Sequence, residues 1–418
     1  MKNLKKEDYK ICIVGLGYVG LPLAARFSLK GFDVIGFDIK EERINQLINK
    51  IDINNDISDT NLETLVINSK LTSNIDEIIE SNIFIITVPT PINVDKTPDL
   101  EPLIASSKLV GSIIKKGSIV IYESTVYPGV TDEICTPILE TKSNLVFNEE
   151  FSTGYSPERI VPGDKINTID KIKKVVSASN GKALKAISFL YSSIIDAGIF
   201  EASSIKVAEA AKVTENIQRD VNIALINEMH QLYTSLGINT NDVIDAASTK
   251  WNFMELTPGM VGGHCISIDP YYLMHKSAMS GFSPTIMSAA RKVNDCMHEW
   301  VLSDFLDFIN INEIDLKSKK ITILGYTFKE NCSDTRNTKV KDLILAMLKN
   351  GFQLNLWDPM ILEQDHLALN NIGVETFKKE PVKIDIAIVC VYHNEINSFL
   401  KNYDGILYDY RYKIYSKH

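Results

Sequence analysis

A chain of 418 residues with 45% hydrophobic content and a mean hydropathy of −0.01 carries enough apolar material for two or three globular domains. Its formal net charge of −9 excludes a nonspecific nucleic-acid binder, and no apolar run approaches the length of a membrane span. The six cysteines (12, 135, 265, 296, 332, 390) lie apart with no C-x-x-C pair, which excludes a disulfide framework or zinc ribbon and predicts no metal. A charged start that leads straight into a strand reads as free of a signal peptide, so a reduced, cytoplasmic protein is expected.

The first element is the apolar run Lys10–Val14, a strand buried on both faces. It runs into Gly15-Leu-Gly17-Tyr18-Val19-Gly20 and then an apolar helical stretch from Leu21. Strand, G-x-G-x-x-G, helix is a dinucleotide fingerprint. The glycines allow a tight turn, close approach to a pyrophosphate and close helix packing, and the helix N-terminus faces the anion. A second strand, Asp33–Phe37, ends at Asp38, about 20 residues on. A carboxylate there accepts from both ribose hydroxyls and repels a 2′-phosphate, which predicts NAD rather than NADP.

Residues 82–88 and 118–122 read as further strands. Ligands of such sheets bind off the carboxyl ends of the strands, which puts Val88 and Thr125 toward the nicotinamide half of the cofactor. Ser124 and Thr125 also suit a helix N-cap. Residues 151–160 read as a loop whose Glu158 and Arg159 either face a polar substrate or lie in solvent.

Residues 206–232 contain neither proline nor glycine and read as one long helix, with Val207, Ala210, Ala211, Val213, Ile217, Val221 and Leu225 at helical spacing. Lys212 and Asn216 stand four apart on one face and could polarise a substrate oxygen or lie exposed. Asn222 and Asn227 read as polar positions on other parts of this helix. The chain stays largely helical to about residue 310, broken by the loop of residues 258–270. There Gly262 and Gly263 free the backbone, Cys265 follows, and Asp269 comes four residues later. A thiol on such a loop with a carboxylate nearby suits nucleophilic chemistry, against the alternative of a buried, inert cysteine.

A second α/β unit starts at residues 320–325, with strands at 353–358 and 384–391 and a closing one at 407–410. Its glycine fingerprint is missing. Lys329 and Arg336 lie in the loop after its first strand, where a phosphate or carboxylate could meet them.

These segments together resemble the UDP-glucose/GDP-mannose dehydrogenase family of nucleotide-sugar 6-dehydrogenases over nearly the whole chain. The resemblance rests on Gly-Leu-Gly-Tyr-Val-Gly at 15–20, Tyr-Glu-Ser-Thr-Val-Tyr-Pro-Gly at 122–129 and Ser-Pro-Glu-Arg-Ile at 156–160. It continues in Glu-Ala-Ala-Lys at 209–212, Gly-Gly-His-Cys at 262–265 and Phe-Lys-Glu-Asn-Cys-Ser-Asp-Thr-Arg-Asn-Thr at 328–338. Tyr127-Pro-Gly129, residues 157–160 and His264 look like the branch acting on UDP-N-acetylhexosamines. The gluco sugar is favoured, the galacto epimer comes next, and UDP-N-acetylmannosamine or UDP-glucose are the alternatives. The resemblance implies an α/β fold: two Rossmann-like doubly wound domains joined by a long central helix and a helical middle domain. The division it implies is 1–200 for NAD, 201–312 for the central helix, dimerisation and catalysis, and 313–418 for the UDP-sugar.

The resemblance also implies a four-electron oxidation of the sugar C6 alcohol to a carboxylate, with Cys265 as nucleophile and NAD as cofactor. Lys212 would then stabilise the oxyanion, Asn216 hold the reacting oxygen, Asp269 act as a water-bearing base, and Glu158 assist hydrolysis. Thr125 would order water near the nicotinamide. Gly15, Gly17, Tyr18, Val19, Gly20, Asp38, Arg43, Val88, Thr125 and Arg336 would contact the cofactor. Glu158, Arg159, Lys212, Asn216, Gly262 and Lys329 would contact the substrate. The expected partners are a UDP-sugar and a second copy of the chain, with neither nucleic acid nor membrane. Two other classes stay open: a silent NAD-binding regulator, and a two-electron dehydrogenase that needs a lysine but no cysteine.

Overall fold

The computed structural model describes residues 4–54, 56–160, 168–263, 265–316 and 319–411. His264, which entered the sequence reading, lies outside them. The chain divides into two compact units, Met1–Glu215 with Tyr271–Gly281, and Asn216–Pro270 with Phe282–His418.

The first unit is built on β1 (Lys10–Val14), β2 (Asp33–Phe37), β3 (Lys70–Thr72), β4 (Ile83–Ile86), β5 (Ile119–Tyr122), β6 (Ser152–Tyr155), β7 (Lys174–Ala178) and β8 (Ile199–Glu201). They form one sheet in the order β3-β2-β1-β4-β5-β6-β7-β8. All pairs are parallel except β6 with β7. Every residue of β4 and β5 is buried, as unbroken apolar runs require when helices cover both faces of a sheet.

The reading of 151–160 as a loop holds only from Ser156 onward, because residues 152–155 are β6. Its sequence, Ser-Thr-Gly-Tyr, lacks an apolar run. Gly154 stands where a Cβ would come 2.3 Å from Cδ1 of Ile187, so the helix Gly181–Ser192 presses on the strand there. A glycine inside a strand marks such a close approach.

The second unit carries β9 (Ile321–Leu324), β10 (Leu354–Trp357), β11 (Glu375–Phe377), β12 (Ile386–Val389) and β13 (Ile406–Tyr408), in the order β11-β10-β9-β12-β13 with every pair parallel. That order repeats the first five strands of the other sheet, and the repetition extends to single hydrogen bonds. Gly15 and Gly325 both end the first strand at positive φ, +95° and +87°. Their N–H groups donate to the carbonyls of Phe37 and Trp357 at 2.8 and 2.9 Å. The following amides, Leu16 and Tyr326, donate to Asp38 Oδ2 and Asp358 Oδ2 at 2.9 and 2.6 Å. Met297, Val301 and Phe305 of the helix Thr285–Ile311 share a core with Ile321, Ile323 and Leu356.

The long helix spans Ile205–Ser235, close to the range expected from sequence. Its burial differs from the apolar pattern. Val207 and Leu225 are exposed, whereas Glu209, Lys212, Asn216, Asp220, Asn227 and His230 are buried along with Ile205, Val213 and Ile217. Buried polar groups at helical spacing signal that this helix serves as a scaffold for chemistry as well as for packing.

Candidate active site

In the first unit the glycine turn is shaped by what it must leave empty. A Cβ on Gly20 would lie 1.9 Å from the Gly15 carbonyl oxygen and 2.4 Å from Thr87 Oγ1, so that glycine is demanded by the turn itself. A Cβ on Gly17 would meet nothing within 4 Å. The open space lies beside the start of the helix Gly20–Leu29, whose N-cap residue, Val19, makes no side-chain cap. A pyrophosphate fits both features: room for the backbone to approach it, and a helix N-terminus to receive its charge. Tyr18 is half-buried, and Val19 is buried at the helix N-cap.

Asp38 follows β2 with Oδ2 accepting from Leu16 N and Oδ1 from Lys40 N, both at 2.9 Å. Each oxygen keeps a second lone pair for a ribose hydroxyl. Arg43 is buried, with Nε donating to the Leu16 carbonyl at 3.1 Å and Nη2 pairing with Asp52 at 3.0 Å and Asp56 at 3.6 Å. It therefore braces the glycine turn from behind.

The loops after β4 and β5 are tied together at the carboxyl end of the sheet. Ser124 Oγ donates to the Val88 carbonyl at 2.6 Å, and Thr90 Oγ1 donates to the Thr125 carbonyl at 2.7 Å. Val88 and Thr125 are both half-buried. Beside them the loop after β6 presents Glu158, whose Oε1 accepts the amides of Arg159 and Ile160 at 2.6 and 2.7 Å. Arg159 turns to Glu215, with Nη2 at 2.7 Å from Oε1, and donates to the Lys173 carbonyl at 2.9 Å.

Sequence reasoning missed the group behind Glu158. Lys174 Nζ lies 2.7 Å from Glu123 Oε2 and 3.1 Å from Glu158 Oε2, and the Tyr191 hydroxyl donates to Glu123 Oε1. All four side chains are buried. Burial pushes the Glu123 carboxyl up to about 7, with Glu158 adding to the rise against the pull of Lys174. Burial alone would lower Lys174, but the two carboxylates outweigh it and its pKa is raised. The second of two adjacent lysines offers no cue to burial, because a charged pair reads as solvated surface.

Glu209 was missed as well. Its carboxylate accepts Gly129 N at 2.6 Å and Thr131 N at 3.0 Å, which anchors the turn after Tyr127-Pro128 to the long helix. Burial raises it to about 7. Lys212, one turn on, is buried.

In the second unit Asn216 Nδ2 donates to Asp269 Oδ2 at 2.6 Å, and both side chains are buried. The Cys265 carbonyl accepts Ile268 N at 3.1 Å and Asp269 N at 2.9 Å, so the half-exposed cysteine sits on the turn that leads into the helix Asp269–Met279. Asn227 holds the start of this loop with both ends of its amide. It donates to the Gly259 carbonyl at 3.0 Å and accepts Gly259 N at 2.9 Å. Asn294 supports it, accepting from Asn227 Nδ2 at 2.9 Å and donating to Asp220 Oδ1 at 2.7 Å.

The double glycine serves the fold first. A Cβ on Gly262 would lie 2.8 Å from the Asn337 carbonyl oxygen, and one on Gly263, at φ +85°, would lie 2.8 Å from the Phe328 ring. The segment after β9 therefore packs on the cysteine loop. Lys329 and Arg336 project from that segment as exposed side chains, and Arg336 is held by Asp334 through Nε at 2.9 Å. Its counterpart turn is sealed: Asp358 is filled by the amides of Tyr326, Thr327 and Met360 and by His393, and His393 Nδ1 accepts Asn331 N at 2.9 Å. Unlike Asp38, Asp358 is 2% exposed.

A parallel sheet carrying an open glycine turn and an accessible aspartate defines a dinucleotide-binding fold, and the other unit repeats its strand order with the aspartate sealed. The chain belongs to the UDP-glucose/GDP-mannose dehydrogenase family, matching its NAD binding domain at residues 9–195, its central domain at 206–296 and its UDP binding domain at 322–414. It is an NAD-dependent nucleotide-sugar dehydrogenase. It is 45% identical over 414 residues to the UDP-N-acetyl-D-glucosamine 6-dehydrogenase of Pseudomonas aeruginosa, covering 97% of each chain. It is 44% identical over 401 residues to protein CapL of Staphylococcus aureus, covering 96% of this chain and 93% of CapL. Among solved structures, the UDP-D-ManNAc dehydrogenase of Pyrococcus horikoshii superposes with a TM-score of 0.84 at 28% identity, covering 96% of this chain and 95% of that one. Among the described residues no helix is long and apolar enough to cross a membrane.

Proposed function

We propose that the protein oxidises the C6 hydroxyl of a UDP-N-acetylhexosamine, UDP-N-acetylglucosamine first and its galacto epimer next, to the uronic acid. UDP-N-acetylmannosamine and UDP-glucose are the alternatives. The choice of sugar is supported by the 45% identity over nearly the full length to a UDP-N-acetyl-D-glucosamine 6-dehydrogenase. The observation that carries the mechanism is the turn in which Cys265 leads into Asp269, itself hydrogen-bonded to Asn216.

The turn from Gly15 to Gly20 and Asp38 would hold NAD, which would supply the hydride acceptor for each of the two oxidations. The residues of this chain do the rest. Asp269, oriented by the Asn216 amide, takes the hydroxyl proton through a water, while Lys212 stabilises negative charge on the sugar oxygen. An aldehyde has no further hydride to give until a nucleophile adds. Cys265 adds to it, and the resulting thiohemiacetal carries the hydride for the second oxidation. Hydrolysis of the thioester follows, with Glu158 as the base for water. Thr125 orders water near the nicotinamide. Gly262, Arg159 and Lys329 are proposed to contact the substrate, and Arg336 the cofactor. Residues 1–200, 201–312 and 313–418 serve the cofactor, the catalytic helix and the UDP-sugar, a division supported by the three family matches.

The working form is proposed to be a cytoplasmic homodimer. Leu225 and Leu232, seven apart on one face of the long helix, are 50% and 53% exposed, and Trp251 is 91% exposed.

Cys265→Ser tests the mechanism. It is expected to lower uronic acid formation by about a thousandfold or more, because an alkoxide nucleophile is not available at neutral pH. Thermal stability should change little, since serine is nearly isosteric. Production near the wild-type rate would sink the covalent route. A panel of UDP-sugars, read as NADH formed, tests the substrate, and UDP-glucose ranking first would refute the branch assignment alone.

A further inference from the structure

Among the described residues of the first unit, Lys174 is a charged group that touches a proposed catalytic residue and has no role in the reaction above. The residue is 3% exposed at the start of β7, and its ammonium lies between two carboxylates, Glu123 after β5 and Glu158 in the loop after β6. Glu123 is held on its other oxygen by the Tyr191 hydroxyl, and Lys174 lies 5.4 Å from the centre of the Tyr191 ring. A lone buried lysine is costly and is tolerated only when paired. Glu123 by itself would meet that need, at 2.7 Å and 1% exposed. The second, longer contact to Glu158 is therefore more than charge compensation requires.

The acceptor sites of Glu158 show what that contact does. Oε1 is filled by the Arg159 and Ile160 amides. Among the described residues, Oε2 receives Lys174 alone. A carboxylate oxygen has two lone pairs, so one site on Oε2 is left, at an angle set by Lys174.

We propose that Lys174, anchored by Glu123 and Tyr191, is a positioning residue for hydrolysis of the acyl intermediate: it fixes the Glu158 carboxylate so that the free lone pair of Oε2 takes the proton of the attacking water. The proposal rests on the reading of Glu158 as that base. In the step it serves, the water oxygen bonds to the acyl carbon and its proton passes to Oε2. The carbon–sulfur bond then breaks and its electron pair stays on Cys265 as thiolate. No oxidant or reductant is needed. Both hydride transfers precede this step and make no demand on Lys174.

The test uses the full chain with NAD+ and the UDP-N-acetylhexosamine that the substrate panel ranks first. Lys174→Met is expected to keep the rapid burst of NADH from both oxidations and to lower steady-state kcat by about tenfold to a hundredfold. KM should move by no more than about threefold. Acyl-enzyme should accumulate, seen as added mass on the intact protein. Hydroxylamine, which cleaves thioesters without a base, should restore turnover, and Lys174→Arg should retain most of the wild-type kcat. A lesion that merely loosens the fold would lower burst and turnover together and would not respond to hydroxylamine, which overturns the proposal. So does a wild-type kcat in Lys174→Met. If Lys174→Met does not fold, Glu123→Gln, which removes the anchoring anion, is expected to show the same burst and hydroxylamine rescue with a smaller loss, and its absence overturns the proposal. Glu158→Gln separates the two readings. If it turns over at the wild-type rate, Glu158 is not the base and both fall. If it stalls at the acyl-enzyme while Lys174→Met does not, only the role of Lys174 falls.

Discussion

Two glycines three residues apart in one motif, Gly17 and Gly20, do opposite jobs. Gly20 has no room for a side chain and Gly17 has room to spare. Gly20→Ala is expected to destabilise the protein by about 2 kcal/mol or more, since the clash is with backbone and cannot be relieved by a rotamer change. Gly17→Ala should stay within about 0.5 kcal/mol of wild type. It should still weaken NAD+ binding by about tenfold or more, because the new methyl fills the space left for a pyrophosphate. Thermal melts and NAD+ titrations on the pair check this, and a Gly17→Ala protein that binds NAD+ normally would refute the placement of the pyrophosphate. At the same scale, Asp38 should make NAD+ the better cofactor, and comparable kcat/KM values for NAD+ and NADP+ would contradict that role.

Among the elements, the long helix shows how burial and polarity combine. Glu209 satisfies two backbone donors at once, those of Gly129 and Thr131. Glu209→Gln keeps the shape but offers one oxygen and one NH2 to two N–H groups. Leaving one buried donor facing another should cost about 1–3 kcal/mol, read as a lower Tm. The same helix explains why its sequence misleads about its faces. Val207 and Leu225 fall on an apolar period yet stand in solvent, while Asp220, buried with Arg291 at 2.5 Å, reads as surface charge.

For the whole molecule, two buried carboxylates set a pH dependence. Glu123 and Glu209 titrate near 7 in the folded chain, against an ordinary value of 4.5. Between these values the folded state holds protons that the unfolded state has released. The stability from this source is fully present below the ordinary value and is lost as pH rises through about 7. Tm should therefore fall as pH rises across that window, and Glu123→Gln should flatten the slope. A wild-type Tm that climbs steadily from about pH 5 to 8 would contradict the assignment. On the same scale, sedimentation should find a dimer, and charged replacements at Leu225 and Leu232 should convert it to monomer while a lone monomer in the wild type refutes the dimer.

Local order was legible wherever backbone geometry restricts residue choice. The turn at 15–20 needs glycines for positive φ and close approach, and strands covered on both faces need unbroken apolar runs, so β1, β2, β4, β5, β9, β10 and β12 could be read directly. The cysteine loop was equally visible, because a double glycine before a thiol is rare without cause. The short strands β3, β8 and β11 lie at sheet edges where partial exposure removes the apolar signal, and β6 is specified by the helix pressing on Gly154. Charge partners were decided by tertiary structure alone. Lys174 reaches Glu123 and Glu158 across 51 and 16 residues of chain, and Asn227 reaches Gly259 across 32. A lysine's own sequence surroundings say nothing about a carboxylate brought beside it by folding. The sealing of Asp358 by His393, which distinguishes the second unit from the first, likewise exists only once β10 and β12 lie on either side of β9.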